Sequence, residues 1–147
     1  MKRVLLSLVL LAAAGFSAFF VKDAMDRRHP DYAVAKLTVT ADSVELPVTV
    51  AEYDWSFAFG ASAKKETASI IDLGLSPMML LGGERLELDF SQAADSVTVE
   101  RSGNYDYNFA PAEGALSVPF ESGGYVYRIT AEFPSGHAVY YFYVVVQ

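Results

Sequence analysis

The chain has 147 residues, 52% hydrophobic and 14% aromatic, with 18 acidic residues against 11 basic ones and a formal net charge of −7. That length allows one ordinary domain with its own core. The absence of cysteine excludes a disulfide framework, a thiolate nucleophile, a cysteine zinc site and lipid attachment through a lipobox. From Val34 onward six basic residues face fifteen acidic ones, a charge of about −9 that disfavours phosphate backbones, so nucleic acid is not an expected partner.

The N-terminus opens on Lys2-Arg3, then runs from Val4 to Val21 without a charge, and closes on Lys22, Asp23, Asp26, Arg27 and Arg28. A basic start followed by an apolar run reads as an export signal or a signal anchor. As a helix the run spans ~27 Å, close to the ~30 Å hydrocarbon core of a bilayer. Residues 1–22 are therefore expected to be a signal peptide or anchor helix, with residues 4–21 in the membrane if it is retained. Lys2 and Arg3 favour a cytoplasmic N-terminus and an extracytoplasmic domain on a single-pass protein. Ala12-Ala13-Ala14 and Gly15-Phe16-Ser17 offer small-residue cleavage sites, which would give a secreted protein instead. Residues 23–33 read as a short polar stalk.

From residue 34 to 147 the hydrophobic pattern has period two almost throughout, as in strands. Ala35–Thr40 and Val44–Val50 are short strands separated by Ala41-Asp42-Ser43, with Pro47 demoting part of the second to an edge or bulge. Tyr53–Phe59 places four rings, Tyr53, Trp55, Phe57 and Phe59, on one face against Asp54, Ser56 and Ala58 on the other. The small polar face cannot build a core, so the rings are expected inside. Residues 60–67 read as a polar loop, and residues 70–83 as an irregular stretch broken at Ser76-Pro77 and Gly82-Gly83. Strands are expected over Glu84–Phe90, Ser96–Arg101, Tyr105–Phe109, Ala115–Phe120, Tyr125–Phe133 and Ala138–Val146. So many short strands with turns between them predict an all-β, antiparallel sandwich.

The segment Glu121 to Tyr127, ESGGYVY, resembles the signature of the immunoglobulin fold around its tyrosine corner. Tyr125 would be the corner tyrosine, its hydroxyl tied back to nearby backbone, and Tyr127 stands where antibody domains have cysteine. The expected fold is thus an immunoglobulin-like sandwich behind an apolar helix. Residues 50–147 also resemble an uncharacterised domain of Firmicutes exported proteins and lipoproteins, found too at the C-terminus of β-lactam-sensor-type membrane metallopeptidases. The shared pattern is Tyr53 and Trp55, Ser76-Pro77, Leu88 and Phe90, Asp95 to Val99, Gly123 to Tyr127, and Gly136 with Tyr140 and Phe142. The lipid-attachment cysteine of the lipoproteins is missing here. The resemblance implies a location at the cell envelope and supplies no activity.

Catalytic chemistry has little support. The two histidines, His29 and His137, fall in the stalk and beside a turn. Residues 60–67, GASAKKET, lack the Gly-Lys-Ser/Thr ending of a phosphate loop. Glu84, Glu87 and Asp89 read as solvated charges, because calcium sites usually draw oxygens from a loop. No catalytic residue, cofactor or metal is expected. The last strand is apolar or amphipathic on both faces: Ala138, Tyr140, Phe142, Val144 and Val146 on one, Val139, Tyr141, Tyr143 and Val145 on the other. One of these faces is either covered by another element or left exposed; if exposed, Tyr141 and Tyr143 are the candidate binding residues, as a strip able to stack on sugar rings or meet a protein. The expected function is a non-catalytic extracytoplasmic module binding a protein or cell-envelope ligand. A carbohydrate-binding module using exposed aromatics is the alternative, and a carboxylate-dependent hydrolase a more distant one.

Overall fold

A computed structural model describes residues 2–112 and 116–147, with side chains described from residue 11 onward. The chain begins with helix α1 (Lys2–Arg28), and a short helix α2 (Pro30–Ala33) follows. Among the residues whose side chains are described, from residue 11 onward, no helix is long and apolar enough to cross a membrane. The rest is mostly strand, in two sheets. The small sheet has the order β2-β1-β6, formed by β1 (Leu37–Ala41), β2 (Val44–Leu46) and β6 (Leu86–Phe90). The large sheet has seven strands: β3 (Thr49–Ser56), β4 (Ser62–Lys65), β5 (Pro77–Leu80), β7 (Ser96–Ser102), β8 (Phe109–Pro111), β9 (Gly123–Phe133) and β10 (Gly136–Val146). Six of them follow the order β4-β3-β10-β9-β7-β8, and β5 pairs with β10 off this path. Pairing is antiparallel except for β5 (Pro77–Leu80), which runs parallel to the last four residues of β10.

β9 and β10 pair along their full length, and both strands keep the alternation read from the sequence. Tyr140, Phe142, Val144 and Val146 face the small sheet with Tyr127, Ile129 and Phe133 in one buried cluster. Tyr127 stacks on its cross-strand partner Phe142 at 4.6 Å between ring centres. The polar ends of these buried rings are satisfied. The Tyr140 hydroxyl donates to the Ala35 carbonyl and the Tyr127 hydroxyl to that of Ser117. The Tyr125 hydroxyl donates to the Glu121 carbonyl at 3.1 Å, the local tie expected of it.

The ring-bearing strand β3 follows expectation for two rings and departs for one. Tyr53 and Trp55 are buried, Trp55 at 3% exposure with its indole edge-on to Phe133, and Phe57 packs half-buried on the same core. Phe59 is not core. The strand ends at Ser56, and the turn that follows leaves the Phe59 ring 50% exposed. Upstream, β3 carries a bulge where its register against β10 shifts between Val139 and Tyr140. The extra residue puts Val50 and Tyr53 on the same inner core, while Ala51 joins the outer face. Thr67 and Lys65 donate side-chain hydrogen bonds to the Ala51 and Val50 carbonyls at 2.6 and 3.2 Å.

Other segments also differ from the sequence reading: the expected strand Val44–Val50 is interrupted after Leu46, and residues 77–80, expected as irregular, form a short strand. Residues 62–65, expected as loop, form β4, because Lys64 and Lys65 can stand on an edge strand whose outer side meets water. Residues 105–108, expected in a strand, form a loop. Part of the expected strand Ala115–Phe120 lies outside the described residues. What remains bonds to the β6 entry: Leu86 N–H to Leu116 O at 3.0 Å and Val118 N–H to Glu84 O at 2.8 Å. The stalk is not a free tether. Asp31 of α2 accepts a hydrogen bond from the Tyr53 hydroxyl at 2.8 Å, which ties residues 30–33 to the sandwich.

Two outcomes follow. Trp55→Ala removes a buried ring and leaves a cavity, and is expected to cost about 3–5 kcal/mol in chemical denaturation, against roughly 0.5–1.5 kcal/mol for Tyr125→Phe, which loses one hydrogen bond. Burial first, then the bond to Asp31 and its charge, push the Tyr53 hydroxyl up to about 12. A raised acid favours the fold while it holds its proton, so this contribution is full below pH 10.0 and is lost as pH rises toward about 12. Tyr53→Phe is therefore expected to be the less stable protein below pH 10.0 and to close or reverse that gap by about pH 12, measured by denaturation across that range.

Candidate functional site

The outer face of the large sheet is not open. Residues 70–75 fold across it, with a single 3-10 turn over Ile70–Leu73. Ser69 caps the turn by accepting the Ile71 N–H at 3.2 Å, and Gly74 ends it in the left-handed conformation at φ 57°. Ile70, Leu73 and Leu75 pack on Ala51, Val126, Val139 and Tyr141, forming a second small core. Tyr141 is consequently buried, at 5% exposure, with its ring edge-on to Phe109. Burial is the main cause that raises its hydroxyl, offset by Arg128 beside it. Arg128 lies over the Phe109 ring at 4.5 Å and donates from Nε to Glu100 at 2.7 Å. That bond holds the Glu100 carboxyl below its usual range. Tyr143, two residues further along β10, stays partly exposed. The two candidate binding tyrosines thus have different roles: Tyr141 is a packing residue, and Tyr143 reaches solvent.

Tyr143 forms the floor of a surface cleft of about 270 Å³, together with Gly124 and Val126 of β9. One wall is the apolar segment Ile70, Ile71 and Leu75. The other is the β7–β8 loop, with Tyr105, Asp106 and Tyr107. Tyr105 and Tyr107 are 71% and 55% exposed. Tyr105 and Tyr107 thus flank a floor that carries a third phenol, Tyr143, with Asp106 on the same wall, the composition of a site that stacks a ligand and orients it by a few polar groups.

The loop carrying two of those rings is pinned. Ser102, buried at the end of β7, accepts the Val126 N–H at 2.8 Å and donates to the Gly103 carbonyl. Asn104 accepts the Gly124 N–H at 3.0 Å and donates to the Ser122 carbonyl at 3.2 Å. The Tyr105 N–H reaches the Gly124 carbonyl at 2.9 Å, and Asp106 accepts the Asn108 N–H at 3.0 Å. Tyr105 is held at φ 53°, a conformation that non-glycine residues adopt only when their surroundings impose it. Gly124 is what allows the close approach. A Cβ there would lie 2.6 Å from both the Tyr105 ring and the Tyr143 hydroxyl. Burial raises the Tyr143 hydroxyl, and the neighbouring Tyr105 and Tyr107 add to this.

The sequence reading missed Tyr105 and Tyr107 because it placed them in a strand. Asn104, Gly103 and Asp106, all turn formers, were the signal that could have found the loop. The other residues weighed from sequence do not gather. Among the described residues no group of three His, Asp or Glu side chains could hold a metal ion. Glu84 accepts the Leu81 N–H within its own turn, at 2.9 Å, and Glu87 and Asp89 are not buried on β6.

Fold and cleft together define a small two-sheet, sandwich-like β protein with an aromatic surface site. The chain matches no protein-family model, no curated protein and no solved structure in comparisons with each.

The pinning can be tested directly. Asn104→Ala removes two hydrogen bonds at the edge of the domain, each worth roughly 0.5–1.5 kcal/mol. The Gly124 amide is expected to exchange with solvent severalfold faster in that variant, measured by hydrogen exchange, with β10 amides beyond the loop unaffected.

Proposed function

We propose that this protein is a non-catalytic, extracytoplasmic binding module at the cell envelope, and that the cleft between Tyr105, Tyr107 and Tyr143 is its ligand site. The cleft carries the reading: a pocket-forming loop held at a strained backbone position and pinned by six hydrogen bonds presents rings to solvent instead of burying them. The uncharged run Val4–Val21 supports a membrane anchor with the domain outside, or a cleaved export signal. An immunoglobulin-like fold is supported by the Tyr125-to-Glu121 bond, by β7, β9 and β10 as neighbours, and by β6 beside the Leu116–Val118 segment. The resemblance to the Firmicutes exported domain agrees with the same location.

The ligand is a protein or an envelope polymer. The convergence of three phenol rings with Asp106 favours a saccharide as the second, more specific reading, since ring faces stack on sugars and a carboxylate accepts from their hydroxyls. Tyr107 is exposed, so Tyr107→Ala is expected to change stability by less than about 0.5 kcal/mol. Full-length protein in detergent, tested against arrayed envelope glycans and peptidoglycan fragments, is expected to bind one class and to lose affinity about tenfold in Tyr107→Ala, the equivalent of one lost stacking contact. Binding that survives both Tyr107→Ala and Tyr143→Ala would move the site elsewhere. Turnover of any envelope substrate that is lost on changing one Asp or Glu would overturn the non-catalytic reading.

A further inference from the structure

The end of the sandwich opposite the cleft carries an aromatic surface that the proposed ligand site does not use. Phe59, at the tip of the β3–β4 turn, stacks on Phe20 of α1 with ring centres 4.9 Å apart and planes 3° from parallel. It also meets Phe19 edge-on at 5.7 Å, and Phe16 lies next to Phe20 at 6.3 Å. All four rings remain at least half exposed after making these contacts. Between them a hollow of about 460 Å³ is lined by Ala12, Gly15, Phe16, Phe19 and Phe59, with no polar side chain. A water-facing surface of this kind needs a cover.

We infer that the cover is lipid: Phe59 is a second membrane contact, seated beside Phe16, Phe19 and Phe20 in the outer interfacial layer of the bilayer. This rests on the anchor reading above. The position of the rings on α1 supplies the depth. Phe20 lies two residues, about 3 Å of helical rise, before Lys22, the first charge after the uncharged run. A helix that spans with Val4–Val21 puts Phe16 to Phe20 in the last turns beneath the headgroups, and a ring stacked on Phe20 must share that level. The charges follow immediately. Lys22 pairs with Asp26 at 2.6 Å and Arg27 with Asp23, while Arg28 also borders the groove beside Phe59. The domain is acidic overall, so attraction to anionic headgroups is not the basis of the contact; the aromatic rings are.

The natural absence of cysteine makes the test direct. Phe59→Cys, carrying a nitroxide label in the full-length protein, is reconstituted into phosphatidylcholine vesicles. Phe120→Cys, at an 87% exposed position near the cleft end, is the aqueous control. Flotation shows whether the protein is anchored, and buried Trp55 emission shows whether each variant is folded. The expected result is a severalfold higher ratio of oxygen to nickel-chelate collisions at position 59 than at 120. Equal ratios in floated, folded protein would overturn the lipid contact and leave the anchor standing. Dipolar broadening between labels at position 59, without the oxygen preference, would assign the surface to a second copy of the chain and also overturn it. Failure to float would overturn the anchor reading and this contact together.

Discussion

Every part of the large sheet is laid against one hairpin. β9 and β10 pair over eleven positions each, and the edge of β10 away from β9 is shared by two strands, β3 along its first half and β5 along its last four residues. The far edge of β9 carries β7 and then β8. A one-residue slip of β10 against β9 would turn Tyr140, Phe142 and Val144 outward and bring Val139 and Tyr141 into the main core. The stacked pair Tyr127–Phe142 and the hydroxyl anchors of Tyr127 and Tyr140 oppose that slip. The turn opposes it as well. Pro134 presets the backbone of the connection. Gly136 sits at φ 144°, where an added Cβ would collide with the Asp54 carbonyl.

What could be read from the sequence was what this hairpin dictates. The faces of β10 and the burial of Tyr53 and Trp55 follow from side-chain parity, and parity is visible in a single chain; the backbone tie of Tyr125 was implied by the resemblance of residues 121–127 to the immunoglobulin signature. What could not be read depended on a residue's partner across space. The bulge in β3 is one case: Val48 and Val50 are inner at even positions, Tyr53 and Trp55 inner at odd ones, and only an extra residue reconciles them. Residues 62–65 became a strand because the edge of β3 was there to pair with, not because their own side chains favour one. Whether the Tyr141 face met solvent or a covering element could not be read, because nothing in its own strand reveals that residues 70–75 fold back over it. Phe59 kept the alternation of a core position after the strand itself had ended.

The candidate site failed to appear in the sequence for a related reason. Tyr105 and Tyr107 have strand spacing, and the period-two reading took them as strand residues. The loop forms instead because Asn104 and Asp106 give backbone groups alternative partners, and because Gly123 and Gly124 let the loop lie against β9. Local turn chemistry here outweighs the preference of two aromatic residues for a sheet. The cost of holding Tyr105 at a left-handed position is carried by the surrounding bonds, and the gain is two rings directed at Tyr143.

The hairpin also separates the two surfaces that the domain exposes. Gly136 lies beside Trp55, near the turn that bears Phe59, whereas Tyr143 lies seven residues on, ~24 Å along an extended strand. A sheet of that length transmits orientation rather than bending. The bond from Tyr53 to Asp31 and the stack of Phe59 on Phe20 then do more than add stability at the helix end, because they restrict how the sheet can tilt relative to α1. In the proposed arrangement this fixes the direction in which the tyrosine cleft points, away from the bilayer. A site held in one orientation loses less freedom when it engages a surface-bound ligand than one on a free tether. The proposed docking at one end and the proposed binding at the other are thus connected by the same two strands.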